Sequence, residues 1–241
     1  MNRITSTAQR VLKQLRHDRR TMALLMIVPV FLMALVSWIF PQPVFDRIGL
    51  SMLGIFPFIT MFLVTSIATL RERQSGTLER LLSMPLRKVD FIIGYQLAFA
   101  VLSLLQSLIA VGVAVWWLNL QFAGPKWMAI VVAMSVAQLG TALGLALSAL
   151  AQTEFQAVQF LPAVIIPQLF LCGLFVPRDS LNHILQPISN LLPLSYAVDV
   201  LNGVSAQATL SSEVWWKFGV IWAFVVGCVV IGSLTLKRRS I

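Results

Sequence analysis

The sequence has 241 residues, of which 58% are hydrophobic and only 11% are charged, whereas an average soluble domain carries about 25% charged residues. A soluble domain of this length cannot bury so much apolar surface, because the surface area of a folded protein grows nearly as fast as its mass. The composition therefore excludes soluble and disordered proteins, while the formal net charge of +9 leaves nucleic acid open as a partner until the charges are located.

The N-terminal segment, residues 1–20, has the pattern of an amphipathic helix. Ile4, Ala8, Val11 and Leu15 recur at helical spacing, and basic residues occupy the other face. We expect this helix to lie in the membrane interface with its apolar stripe at the acyl boundary. Two roles stay open at this point, a simple surface anchor or a docking element for a cytoplasmic partner.

Six segments are long and apolar enough to cross a membrane, since a helical span needs about 20 residues. They are apolar on all sides instead of alternating, which favours helices over barrel strands. The predicted spans are 21–40, 48–70, 91–118, 128–151, 157–176 and 218–236. We therefore predict an all-α polytopic membrane protein forming a single transmembrane domain.

The basic residues are concentrated in three parts of the chain. Fourteen of the 18 lie before the first span, between spans 2 and 3, or after the last span. If both termini are cytoplasmic, this distribution follows the positive-inside rule and places the whole net excess of charge on the cytoplasmic face. Anionic lipid headgroups are a sufficient partner for that charge, so no nucleic-acid partner is expected.

The connection between spans 2 and 3, residues 71–90, has the pattern of a short amphipathic helix. Gly76 interrupts the helix that leaves span 2, Thr77 can cap a new helix, and Pro85 stops it. Leucines occupy one face of this segment and charged residues the other. A solvated basic loop needs none of these features, so the pattern favours a docking helix.

The spans contain amides and hydroxyls but no Asp, Glu, Lys, Arg or His in their interiors. These side chains either form hydrogen bonds between helices, worth roughly 0.6–2 kcal/mol each, or line a substrate path. The candidates are Gln96, Gln106, Gln138, Thr141, Gln159 and Gln168. Gly140 and Gly144 predict close helix packing, and Pro162 and Pro167 predict a kink in span 5.

The segment between spans 5 and 6, residues 177–217, is too short to cross the membrane and too apolar for an ordinary loop. Residues 180–185 and 194–204 have helical character, and Pro187 and Pro193 separate them. We expect a pair of short re-entrant or interfacial helices on the external side.

No catalytic chemistry is predicted. The sequence has no nucleotide-binding glycine-rich loop, and its two histidines, His17 and His183, lie outside the spans. We expect no catalytic residue, no metal site and no cofactor bound by this chain. Any uphill transport would therefore draw its energy from another subunit.

Three stretches together resemble the membrane subunit, or permease, of type 2 ATP-binding-cassette (ABC) exporters. They read ERQSGTLERLLSMP from Glu72 to Pro85, GLFVP from Gly173 to Pro177, and LLPLSYAVDVLNGV from Leu191 to Val204. The resemblance covers essentially the whole chain, and the first stretch resembles the drug and antibiotic export subclass most closely.

The resemblance implies roles for particular residues. The N-terminal helix corresponds to the family's connecting helix, and the segment 76–85 to a coupling helix that sits on the ATPase subunit. Contacts or coupling to the ATPase are expected from Glu72, Arg73, Gly76, Thr77, Leu78, Glu79, Arg80, Leu82 and Pro85. An external gate is expected from Leu191, Pro193, Tyr196 and Asp199.

The implied function is export of an amphipathic small molecule, drug, antibiotic or lipid from the cytoplasm or inner leaflet. The implied partners are an ABC ATPase subunit that binds ATP and Mg²⁺, a second permease copy or sister permease, and the bilayer of a prokaryotic plasma or inner membrane. The alternatives are a stand-alone secondary transporter or channel, and a membrane scaffold of an envelope-assembly complex. An intramembrane enzyme acting on lipid headgroups would need clustered acids or a histidine near the interface, and none is visible in the sequence.

Overall fold

The computed structural model describes residues 3–76 and 88–235, and within these ranges every regular element is a helix. The helices are α1 Arg3–His17, α2 Arg19–Ile39, α3 Gln42–Gln74, α4 Lys88–Trp116, α5 Lys126–Ser148, α6 Glu154–Phe160, α7 Ile166–Leu171, α8 Leu185–Leu191, α9 Pro193–Ala206 and α10 Ser212–Thr235. A π-helical turn, Leu161–Ile165, joins α6 to α7. Among the described residues, six helical segments are long and apolar enough to cross a membrane: α2, α3, α4, α5, α6–α7 and α10. The predicted fold class is confirmed.

The centre of the bundle is the contact between α3 and α5. A Cβ atom added at Gly140 would lie 2.3 Å from the carbonyl oxygen of Phe58, and one at Gly144 would lie 2.6 Å from that of Phe62. Only hydrogen in place of a side chain allows the two backbones to approach so closely. The close packing predicted for this pair of glycines is therefore present.

Helix α1 packs on α4. Its apolar residues Val11 and Leu15 are buried in a cluster that includes Tyr95. The two helices cross at Gly94, where an added Cβ would lie 2.7 Å from Cβ of Thr7. The apolar stripe expected at the acyl boundary therefore contacts protein, because α4 offers it a complementary apolar face.

The fifth span differs from a single kinked helix over 157–176. It begins at Glu154, where the side chain of Thr153 accepts a hydrogen bond from the backbone N–H of Gln156, and it ends at Leu171. The π-helical turn lies between the two parts, beside the prolines predicted to kink the span. Gly173 follows with a φ of +90°, a conformation that favours glycine and turns the chain away from the helix.

The first external helix also lies later than the pattern over 180–185 predicts. A 3₁₀ turn, Arg178–Ser180, is followed by α8, and Pro187 lies in the first turn of α8 instead of before it. Proline is tolerated there because the first backbone N–H groups of a helix have no partner within it. The second external helix, predicted at 194–204, is α9, which begins at Pro193.

Candidate functional site

The bundle has two polar ends. We call the end that carries α1, the last turn of α3 and the α5–α6 connection the basic end, and the end that carries the 3₁₀ turn, α8 and α9 the opposite end. The basic end leads directly into the segment that resembles a coupling helix. Its geometry therefore decides how that segment connects to the spans.

The last four residues of α3, 71–74, form the α3 terminal turn, and each side chain bonds to a different part of the protein. Successive residues of an α-helix point about 100° apart, so four consecutive side chains reach in four directions. The turn contacts α1, α4, the end of α5, the α5–α6 connection and the start of α6.

Glu72 points inward and is only 3% exposed. Nη2 of Arg10 on α1 donates a hydrogen bond to Oε2 of Glu72 at 3.1 Å, and Nη1 lies 3.1 Å from Oε1. The buried hydroxyl of Tyr95 on α4 interacts with both members of this pair. Burial alone lowers the pKa of Arg10, but the hydrogen bond and charge of Glu72 outweigh it and hold the pKa above its ordinary value.

Arg73 and Gln74 hold the α5–α6 connection. Nη1 of Arg73 donates to the carbonyl oxygen of Ser148 at 2.5 Å, and Nε2 of Gln74 donates to that of Gln152 at 2.7 Å. The last carbonyls of a helix have no partner within it and carry partial negative charge. The Arg73 guanidinium therefore caps the C-terminus of α5.

Arg71 holds the start of the fifth span. Its Nε and Nη2 donate to the two carboxylate oxygens of Glu154, at 2.6 and 3.1 Å. Glu154 lies in the first turn of α6, where a negative charge is favoured by the helix dipole. The pair is largely exposed, so it contributes orientation more than stability.

Gly76 ends this region in a turn with a φ of +69°, as its predicted role as a helix breaker requires. Glu72 is buried and Arg73 is half-buried, and both connect the coupling segment to the spans through contacts within this chain. The remaining residues predicted to couple to the ATPase lie outside the described residues, and those predictions stand on the sequence alone: Thr77, Leu78, Glu79, Arg80, Leu82 and Pro85.

Sequence reasoning missed the partners of the α3 terminal turn, namely Arg10 and Glu154 above all. An acidic residue flanked by two arginines at the end of a span was the signal available, because one of three such consecutive side chains has to face inward. Which distant residue neutralises it depends on the tertiary packing of α1.

The polar residues of the spans do not form one common lining. Nε2 of Gln96 donates to the side-chain oxygen of Gln138 at 2.8 Å, and Nε2 of Gln138 donates to Ser103 at 2.8 Å, which joins α4 to α5. Nε2 of Gln106 donates to the carbonyl oxygen of Leu25 at 2.6 Å and to Thr60, which joins α4 to α2 and α3.

The other three candidates behave differently. Thr141 and Gln168 are buried and bond to carbonyl oxygens one turn earlier in the same span. Gln159 is exposed on the surface of α6. The hydrogen-bonding interpretation therefore accounts for Gln96, Gln106 and Gln138, while Gln159 faces outward from the chain.

At the opposite end, Asp199 on α9 forms ion pairs with two basic side chains. Nη1 of Arg178 lies 2.5 Å from Oδ2 of Asp199, and Nζ of Lys217 on α10 lies 2.9 Å from the same oxygen. Lys217 also pairs with Glu213 at 2.7 Å. We call these four residues the opposite-end cluster.

The remaining gate candidates surround this cluster unequally. The hydroxyl of Tyr196 donates to the carbonyl oxygen of Asn190 at 2.8 Å, while Pro193 is buried at the start of α9 and Leu191 is 75% exposed. Tyr196 and the cluster border a cavity of about 1060 Å³. This end of the bundle thus combines an ion-paired wall with an open volume.

Comparison with known proteins gives a consistent result. The model of the ABC-2 type transporter family matches residues 2–204. The chain is 25% identical over 197 residues to ABC transporter G family member 20 of Dictyostelium discoideum, which covers 81% of this chain and 27% of that protein. It is 24% identical over 193 residues to the probable multidrug ABC transporter permease YbhR of Escherichia coli (strain K12), covering 79% of this chain and 52% of the relative.

A third relative is the linearmycin resistance permease protein LnrN of Bacillus subtilis (strain 168), 22% identical over 181 residues, with 75% of this chain and 47% of the relative covered. The chain therefore spans between about a quarter and a half of the length of these relatives. The family match covers more than half of this chain and includes α1, the α3 terminal turn and most of α9. The chain belongs to the ABC-2 type transporter family.

Proposed function

We propose that this chain is the membrane-spanning permease subunit of an ATP-driven exporter, and that its cargo is an amphipathic small molecule, drug, antibiotic or lipid. The family match and two relatives named as a multidrug permease and a linearmycin resistance permease support this function. The basic end lies in the cytoplasm, as the positive-inside rule requires, and the opposite end is external. The membrane is a prokaryotic plasma or inner membrane.

The observation that carries the proposal is the α3 terminal turn. A protein that is driven from outside the membrane needs a rigid connection between the driven segment and its spans. Arg71, Glu72, Arg73 and Gln74 supply that connection to α1, α5 and α6 within one turn of helix. A displacement of the coupling segment just beyond Gly76 therefore reaches several spans at once.

The energy enters through a separate ABC ATPase subunit. This chain has no nucleotide-binding glycine-rich loop, so ATP and Mg²⁺ bind to the partner. The ATPase contacts the predicted helix over 76–85, with Glu79 and Arg80 as the charged contacts. Export then follows from a shift between inward-open and outward-open states that the ATPase binds with different affinity.

A second permease, identical or a sister chain, packs on the exposed face of α6–α7. That face carries Gln159 and the compact residues Pro162, Ala163 and Pro167, all exposed, beside the bulky exposed side chains of Ile166 and Phe170. The exposed side chains in the middle of α2 and α10 are apolar and mostly bulky, as lipid contact favours. Helix interfaces within membranes are enriched in small residues and polar side chains, so α6–α7 is the span that suits a protein partner.

The external helices close the outer end of the path. Tyr196 and Asp199 hold α9 against α8 and α10, and Leu191 and Pro193 flank the turn between α8 and α9. Gln96, Gln106 and Gln138 join their spans by hydrogen bonds, so these spans are packed together. The path therefore runs between the two permeases instead of through one of them.

The test uses the chain in its native membrane. A tagged copy is purified with its partners, and the co-purifying ATPase is identified. Cells are then loaded with a panel of amphipathic dyes and antibiotics, and retention is compared between wild type, a strain lacking this chain, and a strain whose ATPase has its nucleotide-binding lysine replaced. We expect both altered strains to retain more of the same compound. Efflux that persists with the inactive ATPase would instead indicate a stand-alone transporter.

A further inference from the structure

The guanidinium of Arg178 makes more contacts than an ordinary surface arginine does. Its Nε donates to Ser189 at 3.0 Å, its Nη1 contacts Asp199 at 2.5 Å, and its Nη2 contacts the side-chain oxygen of Asn190. The guanidinium also lies 5.4 Å from the ring centroid of Tyr196. All three nitrogens and one face of the group are engaged, so its position is fixed by four residues on α8 and α9.

Gly173 connects this guanidinium to the end of the fifth span. With a φ of +90° it turns the chain just after α7, and an added Cβ would lie 3.0 Å from Cγ of Arg178. The aliphatic stem of Arg178 therefore lies against the turn itself. A movement of the outer end of α7 would therefore displace the side chain of Arg178.

The acceptor of Arg178 has a second cation. Lys217, near the start of the last span, lies 2.9 Å from the same Oδ2 of Asp199, and Asp199 is only 18% exposed. If Arg178 withdrew from a singly paired and largely buried carboxylate, an uncompensated charge would remain, which is strongly unfavourable. Lys217 retains an ion pair with Asp199, and its other partner, Glu213, is 71% exposed and therefore screened by solvent. The cost of separating Arg178 is reduced for this reason.

We propose that Arg178 is a positioning residue that latches the outer end of the fifth span to α8 and α9, and that opening of the external cavity breaks the Arg178–Asp199 contact while Lys217 retains Asp199. The proposal rests on the proposed function for its place in the export cycle. The latch residues line the cavity of about 1060 Å³ together with Val44 and Arg47 at the start of α3. Release of Arg178 therefore lets the turn after α7 move away from α9 and widens this volume.

The test measures how readily the cavity admits a reagent from outside. Ser205, which lines the cavity, is changed to Cys, and its rate of reaction with a membrane-impermeant maleimide is followed in native membranes that contain the partner subunits. The parent without this change corrects for background, since Cys172 and Cys228 are buried. The measurement is made without ATP, so it decides the latch independently of transport, and ATP-dependent efflux from the same membranes tests the proposed function.

We expect Arg178→Gln and Asp199→Asn to raise the labelling rate of Ser205→Cys about tenfold, because a closed state stabilised by charge-assisted contacts loses them. Arg178→Lys keeps the charge but not the fork, and we expect an intermediate rate. Arg47→Gln is the matched control, an arginine that lines the same cavity and has no ion pair or hydrogen bond among the residues the structure describes. Its rate should equal that of the parent.

Lys217→Gln separates a latch from a merely structural cluster. The latch predicts no rise in labelling for this variant, because Lys217 holds Asp199 in the open state and its loss favours the closed one. Equal acceleration by Arg178→Gln and Lys217→Gln would overturn the proposal. It would also be overturned by an unchanged rate in Arg178→Gln with normal folding, or by acceleration in Arg47→Gln.

Discussion

Arg10 and Glu72 are separated by 62 positions in the sequence, yet their side chains form an ion pair with two N–O distances of 3.1 Å. Glu72 sits in the turn that leads to the coupling segment, and Arg10 sits on a helix that is packed along α4. The position of α1 and the direction in which α3 ends therefore depend on each other. In the proposed exporter, a coupling segment pushed by an ATPase at this point would move against α1 and α4 together.

The Arg10–Glu72 pair is tested by a double-mutant cycle. We expect Glu72→Gln and Arg10→Gln each to lower the free energy of unfolding by about 2 kcal/mol, less than for a fully buried pair because Arg10 is partly exposed. The double variant should lose much less stability than the sum of the two single losses, since it leaves neither charge buried without its partner. Thermal unfolding in detergent measures the stability, and Arg16→Gln on the exposed face of α1 is the control. Strictly additive losses would show that the pair does not join the two helices.

Asp18 caps the first span, and we expect the stability of the protein to depend on pH because of this cap. Its two carboxylate oxygens accept hydrogen bonds from the hydroxyl and the backbone N–H of Thr21, which lower the pKa of Asp18 below its ordinary value of 3.8. A lowered folded-state pKa means that the contribution is complete above the unfolded pKa and is lost as the pH falls through the folded one.

We expect Asp18→Ala to cost about 1 kcal/mol at neutral pH. Asp18→Asn, which caps without titrating, should match wild type at pH 7 and become relatively more stable below about pH 4. Unfolding temperatures of the three proteins across pH 3 to 7 provide the comparison. A constant gap between Asp18→Asn and wild type throughout this range would contradict the assigned cap.

Gly140 tests the central packing of the bundle. Its missing Cβ would lie 2.3 Å from a backbone carbonyl oxygen of α3, which cannot move without separating the helices. We expect Gly140→Ala to destabilise the chain by more than about 2 kcal/mol. Gly227→Ala on α10 is the matched control, because nothing lies within 4 Å of its added Cβ, and it should be neutral or slightly stabilising. Similar unfolding temperatures for both variants would argue against this α3–α5 contact.

Gln138 and Gln159 separate packing from partner contact. Gln138→Leu removes the hydrogen bonds to Gln96 and Ser103, and we expect it to lower stability by about 1 kcal/mol. Gln159→Leu changes an exposed side chain, so stability should stay the same, while association with the proposed second permease and export should decrease. Cross-linking in membranes and dye efflux report these effects. Normal association and normal efflux in Gln159→Leu would place this face against lipid.

Glu79 lies beyond the described residues, so its prediction comes from the sequence pattern and the family resemblance. We expect Glu79→Ala to abolish export and to leave membrane insertion intact, because in the proposed exporter this charge would contact the ATPase outside the bilayer. The exposed acid Asp179, at the opposite end, provides the control variant Asp179→Ala. Full export by Glu79→Ala would remove this residue from the coupling contact.

Much of the fold follows from the sequence because lipid imposes a simple rule. An apolar run of about 20 residues has to be a helix, so the number and order of the spans can be predicted without tertiary information. The ends of the fifth span and of α8 could not be predicted as well. Prolines are compatible with a π-helical turn and with the first turn of a helix, so Pro162 and Pro187 do not by themselves locate a boundary.

The candidate site was only partly predictable for a different reason. The charged residues at the basic end predict a polar surface there, but tertiary packing decides which of these side chains are buried. Glu72 is buried because α1 packs on α4 through Gly94 and brings Arg10 to it. A contact between residues so far apart in the chain leaves no local pattern, and the same holds for Arg178 and Asp199.

We expect this chain to export only when an ATPase drives it through the basic end. The most direct measurement is the flux of a fluorescent amphipathic substrate in proteoliposomes that contain the purified chain with or without its co-purifying ATPase. We predict flux when the ATPase, ATP and Mg²⁺ are all present, and none when any one of them is omitted. Flux of equal rate with this chain alone would contradict the account.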